Sequence, residues 1–330
     1  MKYIHDSDGY QALFDQTSGI YIRNGNPFWR SEGPELLDIS ITNYCERGCE
    51  FCYRRSDRYG LTMSLEMYEY VISEAEKCGV SQVALGGGNP NQHPQFIEIL
   101  RLTRDHGIVP SYTTNGQGMT EDIYRATSEY AGAVAVSWYD RGKDARKVVD
   151  HCRDYGIPAN IHIILDDNNV RSVRSIINDI PLEKVNALIF LNYKPVTESK
   201  RTVLSFNEYV DDALRYLVCQ HGCRIGFDSC MISHLTSMAD LIDARSIDFC
   251  ESGRFSAFVD ESGLVYPCSF MCGAGYKGYD IRKYGLKEIW READGFVSIR
   301  DRILNINKRC DGCISFEMCH GGCPVFDINC

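Results

Sequence analysis

Residues 43–55 read NYCERGCEFCYRR, a stretch in which three and then two residues separate the successive cysteines Cys45, Cys49 and Cys52. Three thiols are one fewer than the four ligands that close a tetrahedral structural metal site. A fourth ligand therefore comes from elsewhere in the chain, or the fourth position is open for a molecule that binds there. The spacing makes three ordinary buried thiols the weakest explanation.

The composition restricts the class of protein. The chain has 330 residues, 44% of them hydrophobic, which is enough for a large domain and a small one. It begins MKYIHDSDGYQALFDQ, without a signal-peptide pattern, and no segment is long and apolar enough to span a bilayer. A formal net charge of −10 argues against the broad basic face that nucleic-acid binding needs. We expect a cytoplasmic protein with neither a membrane nor a nucleic-acid partner.

Predicted strands and helices alternate from the first strand, LLDISIT, onward, which indicates a parallel sheet covered by helices. The further predicted strands are SQVALGG, VPSYTTNG, GAVAVSWYD, ANIHIIL and NALIFLNYKPV. Function in such sheets gathers at the carboxyl ends of the strands. The unusual segments lie there: the cysteine loop, GGGNP, TTNG, SWYD and NYKP.

The chain after about residue 232 has shorter elements and many cysteines. FSAFVDESGLVYPCSF is typical of a hairpin, LKEIWREADGFVSIRDRIL is typical of helical structure, and the last residues are mostly loop. This region has too small a core to be stable alone, so we expect bound metal to stabilise it. Cytoplasmic reductants favour metal ligation over disulfides for the sixteen cysteines.

The cysteine loop, which has Phe51 just before its last cysteine, resembles that of the radical S-adenosylmethionine (radical SAM) enzymes. The resemblance implies an α/β fold, a partial (β/α)6 barrel, and a [4Fe–4S] cluster with one open iron on the loop. In that family the open iron binds the methionine part of SAM, and SAM cleavage yields a 5′-deoxyadenosyl radical that abstracts a substrate hydrogen. The main alternative is a structural zinc site, which would need four protein ligands and no open position.

Other strand ends match the family. GGGNPNQHP is similar to the family's GGGEPLLHP, with Asn89 in place of the usual glutamate, and a plain turn is the alternative. Ser137 matches a serine that reaches the SAM carboxylate. The alternative is that His162 is an ordinary buried histidine that does not bind SAM. The predicted SAM-binding residues are Phe51, Tyr53, Gly86, Gly87, Gly88, Asn89, Asn115, Ser137, and Asn160 or His162.

The C-terminal cysteines follow a second pattern, C-x12-G-x4-C and then C-x2-C-x5-C-x3-C-x6-C. This pattern resembles the SPASM extension of radical SAM enzymes, which carries two auxiliary [4Fe–4S] clusters. The resemblance therefore implies SAM and three [4Fe–4S] clusters as cofactors. It implies an outer cluster on Cys310, Cys313, Cys319 and Cys330, and an inner cluster on Cys250, Cys268 and Cys323.

The inner cluster is one thiolate short of four. We predict Cys272, in a glycine-containing loop shortly after Cys268, as the missing ligand, and an open iron is the alternative. Cys78, Cys152 and Cys219 are interpreted as apolar helix residues. The predicted domains are an N-terminal segment (1–36), the barrel (37–232), a bridging segment (233–249) and the SPASM domain (250–330).

Most SPASM enzymes modify ribosomally made peptides, so the resemblance implies a peptide maturase that forms an intramolecular C–C or thioether crosslink. The formylglycine-forming branch fits less well, because it has an aspartate where this chain has Ser269. About 36 residues precede the first strand, too few for the family's leader-binding wing, so a separate protein or the barrel would recognise a leader. A flavodoxin or ferredoxin would donate electrons. The alternatives are a dehydrogenase or epimerase acting on a small molecule or peptide, and a non-catalytic iron–sulfur electron carrier or sensor.

The segment GFDSCM is predicted to lie at the barrel mouth, because it follows the last strand–helix unit. Cys230 could donate a hydrogen atom to a substrate radical, as an epimerase requires. Asp228 could take a proton as the radical is oxidised, as crosslinking or dehydrogenation requires. The alternative is a structural segment, with a buried cysteine and a turn-capping aspartate.

We predict that the chain, reconstituted without oxygen, holds about twelve iron and about twelve sulfide ions, the content of three cubane clusters. Elemental analysis and a sulfide assay measure both quantities. Iron near about four, with zinc in the C-terminal region, would contradict the SPASM prediction.

Overall fold

The computed structural model describes residues 1–220, 222–243, 247–305 and 310–326, so the predicted cluster ligand Cys330 lies outside the described residues. The strands are β1 Lys2–His5, β2 Gln11–Phe14, β3 Tyr21–Arg23, β4 Leu36–Thr42, β5 Gln82–Gly87, β6 Val109–Thr114, β7 Ala133–Ser137, β8 Ala159–Leu165, β9 Ala187–Asn192, β10 Arg224–Phe227, β11 Ser256–Val259, β12 Leu264–Tyr266 and β13 Tyr279–Asp280. The α-helices are α1 Leu65–Lys77, α2 Phe96–Asp105, α3 Glu121–Tyr130, α4 Lys143–Asp154, α5 Val173–Asp179, α6 Glu208–Val218, α7 Ile232–Leu235, α8 Ser269–Gly273, α9 Ile281–Tyr284, α10 Leu286–Glu292, α11 Asp294–Leu304 and α12 Phe316–Cys319.

One large sheet organises the chain, with its strands in the order β10-β9-β8-β7-β6-β5-β4-β11-β12-β13. Each neighbouring pair from β4 to β10 is parallel. The six predicted strands are β4 to β9, and β10 adds a parallel strand that the sequence pattern did not single out. The predicted α/β class with a parallel sheet is therefore confirmed.

The two faces of the sheet have different roles. In β4, Leu37, Ile39 and Ile41 are fully buried and belong to the same core as residues of α1, while Asp38 lines a cavity on the other side. In β8, Ile163 packs into that core, whereas His162 lines the cavity. Side chains alternate between the two faces of a strand, so a single register places one set under the helices and the other in the cavity.

Side-chain caps determine where several helices begin. Ser64 accepts a hydrogen bond from the Met67 N–H at the start of α1, and Thr120 does the same for Ile123 in α3. These caps satisfy backbone N–H groups that have no partner inside the helix. The segment from Thr42 to Leu65, between β4 and α1, contains the cysteine loop.

The first 35 residues contain a small antiparallel sheet, β1 to β3, that the sequence pattern did not predict. Its inner face buries Ala12 and Phe14. Arg23 connects this sheet to the C-terminal region, because its guanidinium pairs with Glu35, Asp248 and Glu251.

The predicted C-terminal hairpin is present as β11 and β12, and it is part of the main sheet. β11 pairs with β4 in parallel, with Phe258 opposite Asp38. The C-terminal region is thus hydrogen-bonded directly to the first strand of the barrel. This pairing also brings the cysteines that flank the hairpin close to the strand that precedes the cysteine loop.

One local prediction was confirmed with a break, and one was wrong. The segment 286–304, predicted to be helical, is two helices, α10 and α11, because Ala293 has extended backbone angles (φ −64°, ψ 131°). The break lets the rings of Trp290 and Phe296 pack edge to face at 5.5 Å in the core. Cys219 is exposed at the C-terminal end of α6, whereas Cys78 and Cys152 are buried as expected.

Among the described residues, no helix has the length and apolar character needed to cross a bilayer.

We predict that Trp290→Ala lowers the free energy of unfolding by about 3–5 kcal/mol. The Trp290 side chain is fully buried, and its Nε1–H donates to the Arg30 carbonyl at 2.7 Å. Anaerobic urea unfolding followed by circular dichroism measures the change. Val297→Ala, at a partly exposed position of α11, is the matched control and should shift stability by less than about 0.5 kcal/mol. Equal effects of the two substitutions would contradict the packing described here.

Candidate active site

A cavity of about 480 Å³ lies at the carboxyl ends of the parallel strands. This volume is within the range of small-molecule sites in proteins. The cavity brings together residues from β5, β6, β7, β8 and β9 and from the cysteine loop after β4. The predicted residues Cys45, Cys49, Cys52, Asn115, Ser137 and His162 all line it.

Backbone hydrogen bonds hold the cysteine loop against the end of β4. The Asn43 N–H donates to the Leu61 carbonyl at 2.6 Å, and the Cys45 N–H donates to the Asp57 carbonyl at 2.7 Å. The Cys52 N–H donates to the Cys49 carbonyl at 3.1 Å, which closes a tight turn between the second and third cysteines. Backbone hydrogen bonds therefore contribute to the positions of the three thiols.

Hydrogen-bond donors approach the sulfur atoms of this loop. The Asn115 side-chain amide lies 3.4 Å from Cys45 Sγ, and the Arg47 guanidinium hydrogen bonds to Cys49. Burial raises the pKa of Cys49, and the charge of Arg47 opposes that rise. Donors of this kind stabilise thiolates, the form in which cysteine binds metal. The donor set thus fits an iron–sulfur cluster.

The glycine segment contacts the cysteine loop through its backbone. The Gly88 N–H donates to the Thr42 carbonyl at 2.6 Å, and the Asn89 N–H donates to the Tyr44 carbonyl at 2.9 Å. A Cβ atom on Gly88 would lie 2.0 Å from the Tyr44 carbonyl oxygen. A Cβ on Gly86 would meet no atom within 4 Å, so this glycine presents open backbone to the cavity. Gly88 is therefore required for the close contact with the cysteine loop, whereas Gly86 exposes its backbone to the cavity.

Two residues predicted to bind SAM do not line the cavity. The buried side chain of Asn89 donates to the Gln117 carbonyl at 2.9 Å and accepts from Thr114 and from the Asn115 N–H. It therefore positions Asn115. Asn160 lies two residues before His162 on β8, on the same face of the strand but outside the cavity. Its Oδ1 accepts a hydrogen bond from Asn186.

The other predicted contacts do line the cavity. His162 has its pKa lowered to about 4 by burial, so it is neutral at physiological pH. Phe51 packs near Tyr139, whose hydroxyl hydrogen bonds to Ser137. The ring centroid of Tyr53 lies 4.6 Å from that of Phe270 in α8. These contacts surround the cysteine loop with aromatic rings on the side that faces the cavity.

An ion pair also lines the cavity. Lys194 Nζ lies 2.5 Å from Asp228 Oδ2, which also accepts from the Asn192 N–H at 3.2 Å. Burial lowers the pKa of Lys194, but the charge of Asp228, the hydrogen bond to it and the nearby thiols of Cys230 and Cys323 together raise the pKa above its usual value. Asp228 Oδ1 is buried without a hydrogen-bond partner among the described residues. Asp228 lines the cavity, whereas Cys230 does not.

The C-terminal cysteines occupy two regions. Cys250, Cys268 and Cys272 pack together in a core around the β11–β12 hairpin, and Cys323 is buried in the segment after α12. Of the predicted outer ligands, Cys319 is buried at the end of α12, Cys313 is exposed, and Cys310 lies near Gly321. In the described ranges, no three His, Cys, Asp or Glu side chains converge as they would around a single metal ion.

Comparison with known proteins identifies both parts of the chain. Residues 39–139 match the radical SAM superfamily, and residues 250–314 match SPASM, an iron–sulfur cluster-binding domain. The chain is a radical SAM protein with a SPASM domain. The cavity described above lies at the ends of the barrel strands and is also lined by Phe258, Ser269 and Phe270 from the SPASM region. Its three-cysteine loop is the expected cluster-binding loop.

Relatives and solved structures extend this result. The chain is 23% identical to the mycofactocin maturase MftC of Mycolicibacterium smegmatis over 321 residues, 88% of this chain and 78% of MftC. It is 22% identical to the PqqA peptide cyclase of Xanthomonas axonopodis pv. citri over 322 residues, 88% of this chain and 82% of the cyclase. SuiB of Streptococcus suis, solved with bound S-adenosylmethionine, has a TM-score of 0.71 at 17% identity, covering 88% of this chain and 73% of SuiB. This likeness confirms the radical SAM fold.

Sequence analysis missed two charged residues in the cavity of the radical SAM domain. Lys194 lies in the strand-end segment NYKP, which was noted as unusual without this residue being singled out. Asp38 interrupts the apolar strand LLDISIT, and burial, with a smaller contribution from Glu251, raises its pKa to about 7. A lone charge inside an apolar strand was the signal that could have identified Asp38.

We predict that Gly88→Ala removes the iron of the first cluster, about four of about twelve atoms per chain, and weakens SAM binding. The added methyl group would overlap the Tyr44 carbonyl and displace the loop that begins at Cys45. Iron analysis and SAM binding by calorimetry measure the two effects. Gly86→Ala is the matched control and should keep its iron, because its methyl group meets no neighbour. Full iron content in Gly88→Ala would show that this contact does not position the loop.

Proposed function

We propose that this radical SAM protein is an enzyme that oxidatively modifies a ribosomally made peptide by forming an intramolecular C–C or thioether crosslink. The observation that carries the proposal is one cavity that both the three-cysteine loop and the Lys194–Asp228 pair line. Similarity to a mycofactocin maturase and to a PqqA peptide cyclase supports a peptide substrate. SuiB, which has the same fold, has also been solved bound to its precursor peptide SuiA.

The chemistry and position of the cavity residues support the following roles in cofactor binding. Cys45, Cys49 and Cys52 would hold the first of three [4Fe–4S] clusters, and the open backbone at Gly86 and the Ser137 hydroxyl would contact SAM. When bound, SAM and the clusters would supply two things: a 5′-deoxyadenosyl radical, which abstracts a substrate hydrogen, and an acceptor for the remaining electron.

Crosslinking removes two hydrogens from the peptide: one leaves as a hydrogen atom, and the other leaves as a proton and an electron. Asp228 is placed to take that proton, because it lines the cavity and its Oδ1 has no partner among the described residues. Lys194, almost fully buried, balances the charge of the Asp228 carboxylate and orients it through Oδ2. Phe270, over which Lys194 lies at 4.6 Å, closes the same side of the cavity.

The partners and location form part of the same proposal. A flavodoxin or ferredoxin would donate electrons, and a separate protein or this chain itself would recognise a leader on the peptide. The chain would work in the cytoplasm, where thiols remain reduced and available to clusters.

The test is an anaerobic reaction of the reconstituted chain with SAM, dithionite and the precursor peptide encoded beside its gene. We expect 5′-deoxyadenosine and a peptide lighter by two hydrogens, both measured by mass spectrometry. The variant with Cys45, Cys49 and Cys52 all changed to Ala is the negative control and should produce neither. Formation of 5′-deoxyadenosine with an unchanged peptide would refute the peptide substrate.

We predict that Asp228→Asn keeps SAM cleavage but lowers crosslinked product by about 10²–10⁴-fold, because the amide cannot accept the proton. Both products are quantified in the same reaction. Asp240→Asn is the control, since Asp240 is an exposed carboxylate paired with Arg215, and it should leave product formation unchanged. Normal crosslinking by Asp228→Asn would remove this residue from the mechanism.

A further inference from the structure

We infer that Asp38 is a specificity-determining residue, which pairs with a basic side chain, lysine or arginine, of the peptide substrate. The inference rests on the proposed function and names one chemical feature of the peptide that the cavity would select. Asp38 lies within β4 and lines the cavity. Its role is separate from that of Asp228, the proposed proton acceptor.

Strand pairing gives the Asp38 carboxyl uncharged neighbours. Leu37, the preceding residue of β4, is fully buried in the core under the helices, so alternation turns Asp38 toward the cavity. Ala84 of β5 is opposite Asp38 on one side, and Phe258 of β11 is opposite on the other. Both of these residues also line the cavity. Neither has a side chain that can balance a negative charge or donate a hydrogen bond.

The Asp38 carboxyl also lacks a partner further away. Among the described residues, it makes no hydrogen bond and no ion pair. A carboxylate that is removed from water without a partner is costly. Burial, with a smaller contribution from the charge of Glu251, accordingly raises the pKa of Asp38 to about 7. A cation from the substrate would supply the missing partner and favour the charged form of the carboxyl.

The basic side chains that line the cavity cannot serve as that partner. Lys194 pairs with Asp228 at 2.5 Å, and Arg47 pairs with Asp140 at 2.7 Å. His162 is neutral, because burial lowers its pKa to about 4. The protein cations on the cavity wall are therefore either paired or uncharged.

Arg54 approaches this part of the wall from outside the cavity lining. Its guanidinium lies over the Phe258 ring, 5.2 Å from the ring centroid. Nη1 donates to Cys272 Sγ at 2.7 Å, and Nη2 donates to Glu261 Oε2 at 2.6 Å. Both terminal nitrogens of Arg54 thus have other partners, so a cation for Asp38 has to come from a bound molecule.

Aromatic rings suit the same position to a long basic side chain. Phe258, Tyr53 and Phe270 all line the cavity, and the ring centroids of Tyr53 and Phe270 are 4.6 Å apart. Ring faces attract cations, and the methylene stems of lysine and arginine pack against apolar surface. A carboxylate beside these rings therefore favours a basic side chain over an acidic or a neutral one.

SAM is also a cation and is the main competitor for Asp38. The open backbone of Gly86, which would contact SAM, is opposite Ser40. Asp38 lies two residues before Ser40 in β4, about 7 Å further from the end of the strand. Measurement of SAM binding distinguishes the two ligands.

The test measures kcat/KM for crosslinking of the precursor peptide encoded beside the gene, with each lysine and arginine of the peptide changed in turn to Met. We expect one such change to lower kcat/KM of the wild-type enzyme by about 30-fold or more, the usual cost of removing one partner of a buried charge pair. Asp38→Asn should lower kcat/KM for the natural peptide by a similar factor, and the two changes combined should cost little more than either alone. Asp122→Asn, at an exposed carboxylate paired with Arg125, is the matched control and should leave kcat/KM unchanged.

Three results would overturn the inference. The first is an unchanged kcat/KM for every peptide variant with the wild-type enzyme, which needs no enzyme variant and so covers the case in which Asp38→Asn does not fold. The second is a pair of losses that multiply when Asp38→Asn meets the critical peptide variant. The third is weaker SAM binding by Asp38→Asn in calorimetry, which would assign the carboxylate to the cofactor.

Calorimetry with the same peptides separates this inference from the proposed function. A peptide that binds, loses affinity through the same pair of changes and is never crosslinked would refute the crosslinking reaction and support the pairing with Asp38. A peptide that neither binds nor reacts would overturn both.

Discussion

The contact between the backbone of Gly88 and Asn89 and the backbone of residues 42–44 is the constraint on which the site depends. Two N–H groups from the end of β5 bond to the Thr42 and Tyr44 carbonyls, immediately before Cys45. Such a close approach requires glycine, because a Cβ at position 88 would overlap the Tyr44 carbonyl. The contact joins two neighbouring strand ends, so the cysteine loop and the glycine segment form one wall of the cavity.

A second constraint joins the two domains. The parallel pairing of β11 with β4 continues the barrel sheet into the SPASM domain. Cys250 and Cys268 flank the β11–β12 hairpin, and they are therefore carried to the barrel by main-chain hydrogen bonds. The salt bridges of Arg23 to Asp248 and Glu251 fasten the N-terminal sheet to the same region. The SPASM region and the strands that form the cavity are consequently parts of a single packed structure.

Much of the fold could be predicted because its signals are local. The strand–helix alternation gave the six parallel strands from the periods of the side chains, and the cysteine spacings pointed to both iron–sulfur regions. The N-terminal sheet and the break at Ala293 were missed because their causes are tertiary. β1 to β3 are short and are stabilised by packing, and the break at Ala293 allows Trp290 and Phe296 to meet.

The sequence by itself determined the kind of chemistry: the spacing of Cys45, Cys49 and Cys52 and of the SPASM cysteines indicates clusters whatever the packing around them. Only the tertiary structure decided which side chains share the cavity. It separated His162 from Asn160, brought Lys194 to Asp228, and paired the Cys272 thiol with the Arg54 guanidinium. The physical reason is the separation along the chain of the residues that set each feature. A ligand motif on one loop is set by a few consecutive residues, whereas the partner of a thiol is chosen by strand pairing and burial between segments that are far apart in the chain.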